Sequence, residues 1–186
     1  MAEQAAPTPL AVVLDALAAP PDPALRAALG PRRHDELREL LRERARAFAR
    51  QVAGGGEPRP VGTVEALAAM VAERSGPLVA VAPDVPGLDE ALAENVREDL
   101  AAGIAVSVAL AGEGRPYLVA LAEPRTELIA AIDGGIEALG RAAAGLGGEL
   151  GMLRAERRLA TVGDARSLLA DPITPAGLRD LLSVLG

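Results

Sequence analysis

The feature that most constrains the fold is a short apolar run that ends abruptly on a charged residue. Residues 78–82 are all aliphatic, and the turn-forming stretch 83–87 follows, with Asp84 between two prolines. A run of this length between turn residues is typical of a strand buried on both faces of a parallel sheet. The stop places Asp84 at the carboxyl end of that strand, where open α/β sheets bind ligands. Because Asp also favours turns and helix caps, a purely structural role for Asp84 stays open.

Similar apolar runs alternate with amphipathic stretches along the chain. Strands are predicted at 10–14, 77–82, 104–110 and 117–121, with weaker candidates at 152–153 and 159–162. Helices are predicted at 35–52, 63–74, 88–100, 126–144, 164–170 and 174–185. Loops are expected at 16–31 and 54–60, because both are rich in Pro or Gly. The order favours a three-layer α/β/α domain with a mostly parallel sheet over residues 10–186, after a flexible N-terminal segment of residues 1–9.

Composition excludes several kinds of chemistry. All 19 basic residues are arginine, which rules out lysine-based mechanisms, and the absence of cysteine rules out thiolate catalysis. A single histidine, His34, argues against a multi-histidine zinc site. The net charge of −7 argues against nucleic acid as a partner. Neither a membrane-length apolar run nor the basic start of a signal peptide is found, so a cytoplasmic bacterial protein is expected.

Four stretches, taken together and in order, resemble a known family. They are 29–31 (Leu-Gly-Pro) with the helix after it, 77–88, the Gly-Glu-Gly turn and strand of 111–121, and 168–175. The chain is similar, nearly end to end, to small bacterial transferase-like proteins of the GT-A nucleotide-diphospho-sugar transferase fold. More distant relatives by fold include the molybdenum-cofactor guanylyltransferases. The resemblance implies a Rossmann-like sheet that binds a nucleotide or nucleotide sugar.

The resemblance also implies where a ligand and a divalent metal would bind. In the family, acidic side chains hold Mg²⁺ or Mn²⁺ against the nucleotide phosphates, because these hard cations prefer carboxylate oxygens. The positions that this implies here are Asp84 and Glu113 as metal ligands, and Asp15, Arg26, Arg115, Tyr117 and Arg158 as ligand-binding residues.

The chain departs from the family pattern at the site rather than in the apolar framework. The lysine of the family's first loop is absent, and a late pair of aspartates aligns with residues 158–161, which begin with Arg158. We therefore expect a degenerate member, a pseudoenzyme with little or no transferase activity, in which an arginine can take the place of a cation. The alternative is an active nucleotidyl- or glycosyltransferase that uses Asp84 and Glu113 with a metal. A protein partner or a homodimer is compatible with either.

Overall fold

A six-stranded sheet and eight α-helices are formed by the residues that the computed structural model describes, which are 8–20, 22–72, 74–112 and 114–186. The strands are β1 (Leu10–Leu14), β2 (Arg59–Val61), β3 (Leu78–Val81), β4 (Val106–Leu110), β5 (Pro116–Leu121) and β6 (Leu150–Met152). The helices are α1 (Pro23–Leu29), α2 (Pro31–Val52), α3 (Val64–Val71), α4 (Glu90–Ala101), α5 (Thr126–Ala130), α6 (Gly135–Gly145), α7 (Val162–Ala170) and α8 (Ala176–Leu182).

The sheet has the strand order β2-β1-β3-β5-β4-β6 and is mostly parallel. Only β5 runs against its neighbours, β3 and β4, and a short turn joins it to β4 as a hairpin. Every residue of β3 and β5 is buried, as expected for central strands covered on both faces. The predicted α/β class with a mostly parallel sheet is confirmed.

Helices cover both faces of the sheet. Helices α2 and α4 pack together on one face, while α3, α5 and α6 follow one another on the second. Two successive residues of β6 show that these faces are opposite. Leu150 packs against Gly140 of α6, whereas a side chain at Gly151 would point at Asp99 of α4. The domain is therefore a three-layer α/β/α sandwich.

A second apolar cluster lies beyond the carboxyl edge of the parallel strands. This outer leucine cluster consists of Leu25, Leu29, Leu37, Leu41, Leu159, Ala165, Leu168, Leu178 and Leu182. It is built from α1, α7, α8 and the first half of α2, whereas the second half of α2 buries Phe48 and Val52 in the main core. The long helix α2 thus joins the outer cluster to the sheet.

Four expectations about local structure are wrong. The expected loop 16–31 contains α1, since Asp22 caps its N-terminus by accepting from the Ala24 N–H. The expected loop 54–60 contains the start of the short edge strand β2. The helix predicted over 126–144 is interrupted at Gly135, whose φ of 70° is a left-handed conformation that favours glycine. Residues 159–162 do not form a strand.

None of the helices in the described residues combines the length and the hydrophobicity that crossing a bilayer requires.

Candidate functional site

The carboxyl edge of the sheet is occupied by a buried ion pair between Asp84 and Arg158. Asp84 follows β3, and Arg158 belongs to the segment between β6 and α7. The Arg158 Nη1 donates to Asp84 Oδ1 at 2.8 Å and to Oδ2 at 3.0 Å. The two side chains are 2% and 1% exposed, so water does not screen their attraction. The carboxylate predicted as a metal ligand is therefore already neutralised by a cation of the chain itself.

Three further hydrogen bonds tie this ion pair to its surroundings. Asp84 Oδ2 accepts from the Ala19 N–H at 2.8 Å, which anchors the loop after β1. Arg158 Nη2 donates to the Pro116 carbonyl at 2.7 Å. Because β5 is antiparallel, Pro116 at its start lies at the same edge as the end of β3. On the main chain, the Leu159 N–H donates to the Asp84 carbonyl at 2.9 Å. The pair thus joins four chain segments at the edge where a ligand is expected.

A second arginine, Arg154, links the same two segments closer to the surface. Its Nη2 donates to the Gly87 carbonyl at 2.9 Å and lies 2.8 Å from Asp89 Oδ2, while its Nε donates to Glu156 at 2.7 Å. Burial pushes the pKa of Asp89 upward, but the hydrogen bonds from Arg154 and the Leu92 N–H outweigh it and leave the pKa below its ordinary value. Asp89 is therefore held in its charged form.

Tyr117 is buried beneath this segment rather than exposed to a ligand. Its hydroxyl donates to the Arg154 carbonyl at 3.0 Å, and its side chain is part of the main core. Burial raises the pKa of the phenol above its ordinary value, with the charge of Glu156 adding to the effect. The hydroxyl therefore stays protonated and acts as a donor to the main chain.

The other predicted ligand-binding residues lie at the surface and do not meet the buried pair. Asp15 is exposed just after β1, with its carboxylate 3.8 Å from Arg42 Nη2. Arg26 is exposed on α1. Arg115 is exposed before β5, where it lines a cavity. Glu113, the second predicted metal ligand, lies outside the described residues.

The cavity beside Arg115 has a volume of about 250 Å³. It lies between the turn after β1, which contributes Ala16 and Leu17, and the Gly134-Gly135 break before α6. Asp133 also lines it, so an acidic and a basic side chain share the cavity. Sequence reasoning missed Asp133 because it lies in the middle of a predicted helix. The Gly134-Gly135 pair that follows Asp133 was the sequence feature that could have indicated a break in this helix.

The described residues do not fit a divalent metal ion. Nowhere in the described ranges do three or more His, Cys, Asp or Glu side chains converge as a metal site would require. Asp84, the carboxylate at the expected position, directs both oxygens at Arg158 and one of them also at the Ala19 N–H. The donors that this part of the chain places around Asp84 are a guanidinium and a main-chain N–H, which repel a cation.

The sheet order, the single antiparallel strand and the helices on both faces define a mixed α/β protein with a three-layer architecture. Within this class, the fold is similar to that of a Desulfovibrio desulfuricans G20 protein of known crystal structure, provisionally named a nucleotide-diphospho-sugar transferase. The TM-score is 0.68, and the match covers 95% of this chain and 95% of that chain at 13% identity. The likeness supports the predicted α/β fold with a mostly parallel sheet, and at this identity it indicates the fold alone. No protein-family model matches the chain, and no curated protein matches it in sequence.

Proposed function

We propose that this chain is a degenerate GT-A-type protein, related to nucleotide- and nucleotide-sugar-dependent transferases, that does not carry out metal-dependent transfer. The observation that supports this most directly is the contact of Arg158 with both carboxylate oxygens of Asp84. In a metal-dependent transferase, a carboxylate at this edge offers its oxygens to Mg²⁺ or Mn²⁺, which neutralises the nucleotide phosphates. Here an arginine of the chain supplies that positive charge permanently.

A metal ion would have to displace Arg158 to reach Asp84. The guanidinium is buried and also donates to the Pro116 carbonyl, so moving it away from Asp84 would break buried hydrogen bonds and separate two buried charges. Separating a buried pair in this way is strongly unfavourable. The same argument makes Arg158 a weak binder of phosphate, because its charge is balanced by Asp84.

Any remaining affinity for a nucleotide belongs, in this proposal, to the cavity beside Arg115. Arg115 forms no ion pair with another described residue, so its charge is available to an anion. Asp133 on the same cavity opposes that charge. We therefore expect metal-independent and weak binding of nucleotides rather than the tight, metal-dependent binding of an active transferase.

The test is a thermal-shift and calorimetric titration with nucleoside diphosphates, nucleoside triphosphates and nucleotide sugars, each with and without Mn²⁺. A ligand that binds only the folded state raises the melting temperature. We expect Mn²⁺ to add nothing to any nucleotide-dependent shift. Asp84→Asn is compared with Asp89→Asn, a matched change in the same loop, with circular dichroism as the folding control.

One outcome contradicts the proposal. If the unmodified chain binds a nucleotide only with Mn²⁺, and Asp84→Asn abolishes this binding while Asp89→Asn preserves it, the site holds a metal, and the alternative of an active nucleotidyl- or glycosyltransferase is favoured. Glu113 would then be the next residue to substitute, because it is the second predicted metal ligand.

A further inference from the structure

An exposed isoleucine is held at the surface by a rigid turn between α7 and α8. Ile173 is 85% exposed, compared with 55% for Met152, the next most exposed large apolar side chain in the described ranges. The turn is fixed from both sides. The Ile173 N–H donates to Asp171 Oδ1 at 3.0 Å, and the Thr174 hydroxyl donates to the Leu168 carbonyl at 2.6 Å. Because the turn cannot fold the side chain inward without breaking these bonds, the fold itself keeps Ile173 in water.

Arg179 strengthens this turn from α8. Its Nη2 donates to the Pro172 carbonyl at 3.0 Å and to the Thr174 carbonyl at 3.3 Å. A rigid turn loses little conformational entropy when its side chain is buried against another surface. An isoleucine held in this way has the properties of an interface anchor, since large side chains that enter a pocket dominate binding.

A groove of about 490 Å³ lies directly beside Ile173, which forms one of its walls. Leu88, Leu168 and Pro175 give it an apolar lining. Gly112 also lines it, and no atom of a described residue beyond its chain neighbours lies within 4 Å of where its side chain would begin, which leaves room for an entering group. At Gly87, by contrast, the Glu156 carboxylate occupies the corresponding space. The anchor and an apolar receptor groove are therefore on the same face of the molecule.

The charges around the groove are also of both signs. Arg44, Arg157 and Asp171 line it, and none of them forms an ion pair with another residue that the structure describes. Arg44 donates to the Pro86 carbonyl, and Asp171 accepts from the Ile173 N–H. A twofold dimer uses the same surface patch on both copies, so that patch must be complementary to itself. An anchor that lines a groove, together with arginine and aspartate side chains that lack an ion pair among the described residues, meets that requirement. Binding of a different protein would require only the anchor or the groove, and only one of the two charges, on this chain.

We propose that this face is the interface of a homodimer. Ile173 of each copy enters the groove of the other, and Arg157 faces the partner's Asp171. The groove is separate from the cavity beside Arg115, but Gly87, Asp89 and Glu156, which contact Arg154 in the candidate site, also line it, so the interface lies next to that site.

Analytical ultracentrifugation of the full chain over a wide concentration range tests the proposal. We expect a concentration-dependent monomer–dimer equilibrium, and Ile173→Asp should raise the dimer dissociation constant at least about tenfold. Met152→Asp is the matched control, because it places the same charge at another exposed apolar position, and it should leave the equilibrium unchanged. Melting temperatures confirm that both variants fold. A chain that stays monomeric at every concentration, or an equal effect of both substitutions, would overturn the proposal.

Disulfide cross-linking tests the arrangement within the dimer. Because the chain has no cysteine, only the introduced cysteines can form a disulfide. We expect a mixture of Ile173→Cys and Arg157→Cys chains to form a disulfide-linked dimer that joins one chain of each kind. A mixture of Ile173→Cys and Met152→Cys should not exceed the background of random collision. If the first mixture gives no more cross-linked product than the second, the proposed interface is wrong even when a dimer exists.

Discussion

Two arginine–carboxylate pairs join the same two segments of the chain, and they differ mainly in their exposure to water. Arg158 meets Asp84 at 2.8 Å, and Arg154 meets Asp89 at the same distance of 2.8 Å. In the first pair the side chains are 2% and 1% exposed, and in the second they are 37% and 51% exposed. The shortest contacts are equal in length, although Arg154 also pairs with Glu156 at 2.7 Å, so burial is the main difference between the two pairs.

Burial changes what each pair does for the molecule. An exposed pair is screened by water and salt and contributes little to stability. A buried pair can contribute little beyond an apolar replacement, yet the loss of one partner is costly because the remaining charge has no solvent. The edge of the sheet where a ligand is expected is therefore locked by its own side chains.

Substitution of Arg158 is expected to have the largest effect on stability. Arg158→Met leaves Asp84 charged and buried with only the Ala19 N–H as a described partner, so we expect the free energy of unfolding to fall by about 3–5 kcal/mol. Urea unfolding followed by circular dichroism measures this loss. A value within roughly 1 kcal/mol of the unmodified chain, the range of exposed pairs, would contradict the assignment of a buried charge pair.

The double variant Asp84→Asn/Arg158→Met is the control for this prediction. It removes both charges together, while the asparagine oxygen still accepts from the Ala19 N–H. We expect the double variant to be more stable than the sum of the two single effects predicts, because each single substitution breaks the same buried contact between Asp84 and Arg158. Additive effects would show that the two side chains are not coupled.

Tyr117 tests how the segment that carries Arg154 is stabilised from the core, because its buried hydroxyl donates to the Arg154 carbonyl. We expect Tyr117→Phe to lower the free energy of unfolding by about 1 kcal/mol, through loss of the hydrogen bond to the Arg154 carbonyl. Since burial raises the phenol pKa in the folded state, the contribution is complete below the ordinary pKa of 10.0 and is lost as the pH rises above it. The phenylalanine variant should lack that alkaline loss in unfolding experiments across this range.

Local apolar patterns were sufficient to predict β1, β3, β4 and β5, the central strands of the sheet. The aliphatic run of 78–82 predicted a strand buried on both faces, and all four residues of β3 are buried. A helix was predicted to begin at residue 63, and Thr63 caps α3 by accepting from the Ala66 N–H at 3.2 Å. A buried strand and a helix cap are both determined by residues that are close in sequence, so local patterns are enough to predict them. By contrast, β2 has only three residues and includes Pro60, so pairing with β1 rather than its own pattern makes it a strand.

The candidate site could be predicted only in part, because its central contact joins residues far apart in the chain. The resemblance aligned Arg158 with a family aspartate and suggested that an arginine can take a cation's place. No periodicity pairs it with Asp84, which lies 74 residues away. The exposure of Ile173 was missed for the same reason, since whether a turn faces solvent depends on the packing of α7 and α8. The metal role of Asp84 and Glu113 stays a prediction.

The smallest expected effect concerns the exposed pair. Asp89→Asn removes the charge that Arg154 meets, while the new side chain still offers an oxygen to cap α4 at the Leu92 N–H. We expect a loss of less than about 1 kcal/mol at neutral pH, reduced further in high salt. Because the folded-state pKa of Asp89 lies below its ordinary value of 3.8, the pair's contribution is present above that value and is lost as the pH falls through the lower folded-state pKa. Urea unfolding of both chains should therefore converge in acid. A loss at Asp89 as large as that at Arg158 would mean that burial is not what separates the two pairs.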